Sequence, residues 1–226
     1  MRYTQESRTP KPRTEESRNS QNHEFRNDKT GDKQKLTFMI GSSRMGNIIR
    51  YMKVNGLKRK CIAKFRGGST IEWARRTAAD LQPNVTTVFQ TGVNNLLNTN
   101  QDNKNIIHQF RMLTKEGIER GNTVIVTSIL PTDIGGYELN KRVNEINMAL
   151  SRVVPTEGGI FLDMTQHFVN DGYLVRELYS RERHGLLHLN AAGANIMAHK
   201  INETVINQGG REITEDFRSQ SLWQRT

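Results

Sequence analysis

Short apolar runs alternate along the chain with longer segments in which apolar residues recur every three or four positions. The runs of five to seven residues have the length of buried strands. These predicted strands are LTFMI (36–40), KCIAKF (60–65), VTTVFQ (85–90), TVIVTSI (123–129) and GIFLD (159–163). Helical spacing recurs at residues 45–52, 71–78, 106–113, 143–150 and 194–205. Strands that alternate with helices form a parallel sheet covered on both faces, so we expect an α/β fold, a three-layer α/β/α sandwich with a five-stranded parallel sheet.

The composition of the two ends of the sequence sets the predicted domain boundaries. Residues 1–34 combine many charged and amide side chains with two prolines and almost no aliphatic residues. Such a segment buries too little apolar surface to offset the entropy of ordering it. We therefore expect a disordered, polar and basic N-terminal segment at 1–34, a folded domain at 35–207 and a C-terminal tail at 208–226.

Three sequence features bear on where the protein works. The chain has no run of about 18 apolar residues, so no membrane-spanning helix is predicted. Its first residues lack the apolar core of a secretory signal peptide. Cys61 is the one cysteine among the 226 residues, which excludes an internal disulfide and suits a reducing compartment. We expect a cytosolic protein, and a nuclear location is equally compatible with these features.

Basic residues are concentrated in one stretch, residues 44–76, which holds ten basic residues and one acidic residue. Its net charge of +9 accounts for nearly all of the +10 of the whole protein. This concentration favours an anionic partner, either nucleic acid or the head groups of a lipid surface, over a solvated face that only maintains solubility. The candidate anion-binding residues are Arg44, Arg50, Lys53, Lys58, Arg59, Lys60, Lys64 and Arg66.

Residues that could take part in catalysis follow four of the predicted strands. Ser43 follows the first, Gly68 the second and Asn94 the third, and His188 closes the long loop after the fifth. Ligands bind outside the carboxyl ends of strands in such sheets, so we expect these residues to meet at one edge. Each also has a structural alternative: a helix N-cap for Ser43, a plain turn for Gly68, and loop hydrogen bonds for Asn94 and His188. Together they form the set that acyl transfer requires, a hydroxyl nucleophile, a base and oxyanion donors.

Four segments resemble, in order, the sequence blocks of the SGNH (GDSL-like) hydrolase superfamily. They are Gly41-Ser42-Ser43, Gly67-Gly68-Ser69-Thr70-Ile71, Gly92-Val93-Asn94-Asn95 and the stretch His188-Leu189-Asn190-Ala191-Ala192-Gly193. Between them, Ser128-Ile129-Leu130-Pro131 and Val143-Asn144-Glu145 are similar to the platelet-activating-factor acetylhydrolase branch. The resemblance covers residues 36–206, and Ser42 stands where the family usually has an aspartate.

The resemblance implies a flavodoxin-like sheet and assigns a role to each matching residue. Ser43 would be the nucleophile and His188 the base, while the amides of Ser43 and Gly68 and the side chain of Asn94 would form the oxyanion hole. No cofactor is implied. We also expect no metal site, because the remaining histidines are not grouped with cysteines or carboxylates in a metal-ligand pattern.

One family residue is missing from its usual place. The family places an aspartate three residues before the catalytic histidine, and this sequence has Gly185 there. Three outcomes remain open: a Ser43–His188 dyad, a substitute carboxylate, or an inactive protein. The candidate substitutes are Glu182, Asp171 and Asp163. We favour the dyad, with a backbone carbonyl accepting the second ring proton of His188.

A narrower resemblance concerns the combination of this domain with a polar, basic N-terminal segment and the sequence SSRMGNIIRYM (42–52). This combination resembles the esterase domain of first-reading-frame proteins of LINE-type (non-LTR) retrotransposons, which implies element RNA and lipid or membrane surfaces as partners. Our first hypothesis is a serine esterase for short acyl esters working at an anionic surface. The second is a catalytically impaired module that binds RNA or anionic lipid, and a weaker third is an esterase for acetylated sugars.

Overall fold

A computed structural model describes residues 36–54, 61–97, 101–181 and 185–209 of the chain. Its main sheet has five parallel strands in the order β2-β1-β3-β4-β5. These strands are β1 (Thr37–Gly41), β2 (Cys61–Phe65), β3 (Thr86–Gln90), β4 (Thr123–Thr127) and β5 (Ile160–Leu162). Each lies within a strand predicted from the sequence or extends it by one residue. The predicted α/β fold with a five-stranded parallel sheet is confirmed.

Helices cover both faces of the sheet, as the alternation of strands and helices predicts. They are α1 (Arg44–Val54), α2 (Ile71–Ala79), α3 (Val93–Leu97), α4 (Asn103–Glu119), α5 (Gly136–Thr156), α6 (Thr165–Phe168) and α7 (Ala191–Gly209). Helix α2 packs on α4 and α4 on α5, while α1 packs on α7. The α1–α7 pair bears on the candidate site, because Ser43 directly precedes α1 and His188 lies shortly before α7.

Alternating side chains of the strands divide the core into two apolar clusters. In β1, Phe38 and Ile40 belong to the cluster that contains residues of α2, α4 and α5, whereas Met39 belongs to the cluster with α1 and α7. In β3, Phe89 and Val88 are divided between the same two clusters. This period of two is the geometry of a strand buried on both faces. The sheet is therefore a fixed platform whose carboxyl edge carries the candidate site.

Several short elements were not predicted. Helix α3 has five residues, and the loop after β5 contains a two-stranded antiparallel hairpin, β6 (Val169–Asn170) with β7 (Tyr173–Leu174), followed by a 3₁₀ helix, Arg176–Leu178. Helix α7 extends to Gly209, two residues beyond the predicted end of the domain. The predicted N-terminal segment at 1–34 and almost all of the predicted tail at 208–226 lie outside the described residues. Within the described part of the chain, no helix is long and apolar enough to cross a membrane.

Candidate active site

The structure brings together Ser43 and His188, which are 145 positions apart in the sequence. Oγ of Ser43 lies 2.7 Å from Nε2 of His188. Ser43 is exposed at the carboxyl edge of the sheet, and His188 is half-buried beside it. When the neutral imidazole carries its proton on Nδ1, Nε2 accepts the hydroxyl hydrogen of Ser43. This is the contact that a serine nucleophile and its general base require.

The turn that presents Ser43 depends on a glycine. A Cβ atom at Gly41 would lie 2.3 Å from the backbone oxygen of Gln90, so only glycine lets β1 and β3 come this close where β1 ends. The amide of Ser42 donates to that same oxygen at 3.1 Å, and its hydroxyl donates to Oε1 of Gln90 at 3.0 Å. Both groups of Ser42 are thus bound inside the sheet, while Ser43 at the next position faces outward.

The second and third sequence blocks are tied to this turn through Ser69. The Ser69 hydroxyl donates to the backbone oxygen of Gly41 at 2.9 Å, and the Ser69 carbonyl accepts from Nδ2 of Asn94 at 2.8 Å. Gly68, one residue earlier, is exposed and has a φ of 70°, in the left-handed region that favours glycine. The side-chain amide nitrogen of Asn94 carries two hydrogens, and its bond to Ser69 uses one of them.

Asn95, the residue after Asn94, connects the third sequence block to α2. It is fully buried, and its side-chain oxygen accepts from the amide of Ile71, the first residue of α2, at 3.0 Å. Its amide nitrogen donates to the side-chain oxygens of Gln101 at 2.9 Å and Gln109 at 3.2 Å. The start of α2 and the Asn94 segment are therefore fixed relative to each other.

Two of the three candidate substitute acids lie in the described part of the chain, at different places in the loop after β5. The Asp163 side chain, at the end of β5, accepts from the amide of Thr165 at 2.8 Å and is exposed. Asp171 is exposed in the turn of the β6–β7 hairpin, with a φ of 50°. Glu182 lies outside the described residues. The backbone carbonyl predicted to accept the second ring proton of His188 stays a prediction.

Gly185 has a carboxylate beside it that belongs to a different loop. A Cβ atom at Gly185 would lie 2.7 Å from Oδ1 of Asp133, and the φ of Gly185 is 103°. The Asp133 carboxylate accepts the backbone amide of Leu186 and pairs at 3.3 Å with the exposed Arg176. The sequence reasoning missed Asp133. A polar loop after β4, Pro131-Thr132-Asp133, was the available signal, because that strand also ends at the carboxyl edge.

Two charges act on the buried phenol of Tyr179 beneath the His188 segment. Burial raises the pKa of Tyr179, the nearby Arg44 guanidinium lowers it, and the Asp133 carboxylate raises it further. The phenol donates to the backbone oxygen of Pro131 at 2.8 Å, which satisfies the hydroxyl in its neutral form. Tyr179 thus stays protonated, and Arg44 and Asp133 both lie close to it.

The candidate anion-binding residues separate into different environments. Arg50, Lys64 and Arg66 are exposed, as a surface that binds anions requires. Arg44 is only 2% exposed, so its predicted place on that surface is wrong. Its Nε donates to the carbonyl of Leu187 at 2.7 Å, which turns the side chain inward under the site. The side chains of the remaining candidates, Lys53, Lys58, Arg59 and Lys60, lie outside the described residues.

Solved structures with the same architecture identify the fold. The chain is similar to a GDSL-like lipase from Bacteroides thetaiotaomicron VPI-5482, with 18% sequence identity, a TM-score of 0.62 and coverage of 78% of this chain and 90% of that one. It is also similar to the acetyl xylan esterase AlAXEase, with 19% identity, a TM-score of 0.62 and coverage of 75% and 99%. The chain has the SGNH hydrolase fold.

A third similar structure widens the range of proteins that share the SGNH fold. The OSK domain of Drosophila Oskar matches with 18% identity, a TM-score of 0.57 and coverage of 74% of this chain and 86% of that domain. No protein-family model and no curated protein matches the sequence. The resemblance to the SGNH superfamily predicted from the sequence is therefore confirmed at the level of the fold.

Proposed function

We propose that this protein is a serine esterase that hydrolyses short acyl esters of the acetyl type. The observation that carries the proposal is the 2.7 Å contact between Oγ of Ser43 and Nε2 of His188 at the carboxyl edge of an SGNH-fold sheet. Similar structures that include a GDSL-like lipase and an acetyl xylan esterase support ester hydrolysis as the reaction class.

The proposed reaction has two stages. Oγ of Ser43 attacks the acyl carbon while Nε2 of His188 takes its proton, and the carbonyl oxygen becomes an oxyanion. The amides of Ser43 and Gly68 and Nδ2 of Asn94 donate to that oxyanion. The intermediate then collapses, His188 returns its proton to the departing alcohol, and an acyl-serine remains. Water, deprotonated by His188, then attacks the acyl carbon; the bond between that carbon and Oγ of Ser43 breaks, and His188 returns the proton to Oγ as the acid leaves.

Hydrolysis of p-nitrophenyl acetate tests this proposal directly. Ser43→Ala removes the nucleophile, so kcat should fall by about 10³-fold or more. Ser151→Ala is the matched control, because Ser151 lies on α5 with its hydroxyl bonded to the Met148 carbonyl, remote from the sheet's carboxyl edge. A fluorophosphonate reagent should label wild type and Ser151→Ala on Ser43 and leave Ser43→Ala unlabelled. Equal rates for all three proteins would refute the assignment.

We further propose that the esterase works at an anionic lipid surface. The basic stretch is adjacent to the nucleophile turn, since the amide of Arg66 donates to the Gly41 carbonyl at 3.4 Å. Lys64 and Arg66 are exposed there, and Phe65 between them is 45% exposed. Cations with an exposed aromatic ring suit the interface between lipid head groups and acyl chains.

Vesicle binding separates this surface from a face that only maintains solubility. Each basic residue near an anionic membrane contributes about 1 kcal/mol, so Lys64→Glu with Arg66→Glu should weaken binding to phosphatidylserine vesicles by about 30-fold or more. Arg152→Glu, an exposed change on α5, is the control and should weaken binding far less. Unchanged affinity in the double variant would contradict the lipid proposal.

The alternative function is a catalytically impaired module that binds anionic lipid or RNA, as within a retrotransposon RNA–protein particle. It predicts no turnover and no fluorophosphonate labelling, together with RNA affinity that falls steeply with salt concentration. Changing Lys58, Arg59 and Lys60 together to Glu would abolish that affinity. Tight RNA binding with no vesicle binding would favour this alternative over the lipid surface.

A further inference from the structure

The backbone on either side of His188 is held by side chains of α1. Nε of Arg44 donates to the carbonyl of Leu187 at 2.7 Å, and Nδ2 of Asn47 donates to the carbonyl of Leu189 at 3.3 Å. Arg44 is the residue directly after the nucleophile, Ser43. The helix that carries the nucleophile therefore also binds the residues before and after the base.

A second segment, the loop after β4, holds the same backbone two residues earlier. The Asp133 carboxylate accepts the amide of Leu186, and the hydroxyl of Thr132 donates to the Leu186 carbonyl at 2.7 Å. The backbone N–H and C=O of Leu186 are thus both bound by side chains, which lie 53 and 54 positions away in the sequence. These bonds fix the position of the Leu186 backbone. Because His188 is only two residues further on, they also restrict where its backbone can lie.

The position of Asp133 corresponds to the missing family acid. A side chain at Gly185 would begin 2.7 Å from Oδ1 of Asp133, so the Asp133 carboxylate fills the space beside that residue. A carboxylate is therefore present next to position 185, but it is supplied by another loop and directed at the main chain.

The burial of Arg44 indicates a specific role for its charge. A guanidinium only 2% exposed has lost most of its water, which is costly unless polar partners replace that water. Its bond to Leu187 and its effect on the Tyr179 phenol place the guanidinium under the His188 segment. An arginine selected only for surface charge would extend into solvent, because long basic side chains keep their charged ends in water.

We propose that Asp133 and Arg44 are positioning residues that hold His188 in register with Ser43 through the backbone. They supply part of the orientation that a carboxylate at position 185 gives other members of the superfamily. The inference rests on the proposed esterase function, in which His188 is the base. A displacement of about 1 Å at a catalytic group can cost roughly 100-fold in rate, so backbone bonds alone can decide whether the base is productive.

Asp133→Ala is the test variant, and it is read by kcat and KM for p-nitrophenyl acetate. It removes the acceptor of the Leu186 amide, and kcat should fall by about 10- to 100-fold with KM changed less than about twofold. Asp133→Asn keeps a side-chain oxygen that can accept this amide and should recover most of the rate. Arg176→Ala removes only the exposed partner of Asp133 and should leave kcat unchanged.

A second measurement does not depend on turnover. In wild type labelled with ¹⁵N, His188 should give one set of imidazole signals, and the Leu186 amide should be protected from hydrogen exchange. Asp133→Ala should shift or split the His188 signals and remove the Leu186 protection. Arg44→Lys keeps the charge without the Nε bond, so it should change the His188 signals in the same direction. Circular dichroism of each variant checks that the fold is retained.

The two readouts distinguish failure of this inference from failure of the proposed function. Active wild type with Asp133→Ala unchanged in kcat and in His188 signals would overturn the positioning role and leave the esterase intact. Inactive wild type whose His188 signals still respond to Asp133→Ala would overturn the esterase and leave the backbone contact established. A loss of rate in Arg176→Ala equal to that in Asp133→Ala would assign the effect to the ion pair and overturn the inference.

Discussion

Replacing Gly185 by aspartate puts the family's acid back into the sequence, and we predict that it damages the protein. Gly185 has a φ of 103°, a backbone conformation that side chains other than glycine rarely adopt. Its new Cβ would lie 2.7 Å from Oδ1 of Asp133 and 2.9 Å from Cγ1 of Ile134. The substitution therefore combines backbone strain, a steric conflict and a second negative charge beside the first.

The size of the effect follows from these three contributions. Backbone strain of this kind costs of order 1–3 kcal/mol, and overpacking typically costs a further 1–3 kcal/mol. Two ionised carboxylates about 4 Å apart repel by about 1 kcal/mol in water and more when partly buried. We expect Gly185→Asp to lower the free energy of unfolding by about 3–7 kcal/mol, and Gly185→Ala to cost less because it adds no charge.

Urea unfolding followed by circular dichroism measures these differences, with ester hydrolysis measured on the same samples. The combination of Gly185→Asp with Asp133→Ala removes the charge conflict and the steric conflict with Oδ1 of Asp133, while the close contact with Cγ1 of Ile134 remains. The double variant should therefore be more stable than the sum of the single effects by about 1–3 kcal/mol. A Gly185→Asp protein as stable as wild type, with a higher kcat, would refute the view that Asp133 already occupies this space.

Three further outcomes are expected. Gly41→Ala forces β1 away from the backbone oxygen of Gln90 and should destabilise the domain by about 2–4 kcal/mol in urea unfolding, with a matching loss of ester hydrolysis. Asn94→Ala removes an oxyanion donor and should lower kcat by about 100-fold with little change in KM, whereas an unchanged kcat would remove Asn94 from the site. The raised pKa of Tyr179 means that the unfolded chain loses this proton first above pH 10, so stability falls as pH rises. The wild type should therefore lose about 1.4 kcal/mol per pH unit more than Tyr179→Phe in that range, measured by urea unfolding at a series of pH values.

The regular part of the fold could be predicted because its signal is local. Strands buried on both faces are continuous apolar runs, and the helices on the sheet carry an apolar stripe, so periodicity reports both. Helix α3 was not predicted, because its five residues, VNNLL, are too few to show a helical period. The β6–β7 hairpin was not predicted for the same reason, because each of its strands has only two residues.

Part of the candidate site could be predicted from two features of the sequence: the type of each residue and its position after a predicted strand. Ser43 and His188 were selected this way, and the structure brings them into contact. Asp133 was missed, and the inward bond of Arg44 was not predicted, because their partners are backbone groups 53 and 143 positions away, which no local pattern encodes. Arg44 was predicted to be exposed because basic side chains usually reach into solvent. Its burial depends on contacts that form only in the folded domain.

Ser43 and His188, the proposed nucleophile and base, are both attached to the helix layer that α1 and α7 form on one face of the sheet. Ser43 precedes α1, His188 precedes α7, and these two helices pack on each other and are joined by the Arg44 and Asn47 bonds. The segments bearing Asn94 and Gly68 are fixed to the start of α2, and the Ser69 hydroxyl links them to the turn before α1. If α1 and α7 slid together along the sheet, Ser43 and His188 would move as one body, and the distance between Oγ of Ser43 and Nε2 of His188 would be preserved. Substitutions in α2 and α3 can therefore change the surroundings of the proposed oxyanion donors without breaking the bonds that join the Ser43 and His188 segments.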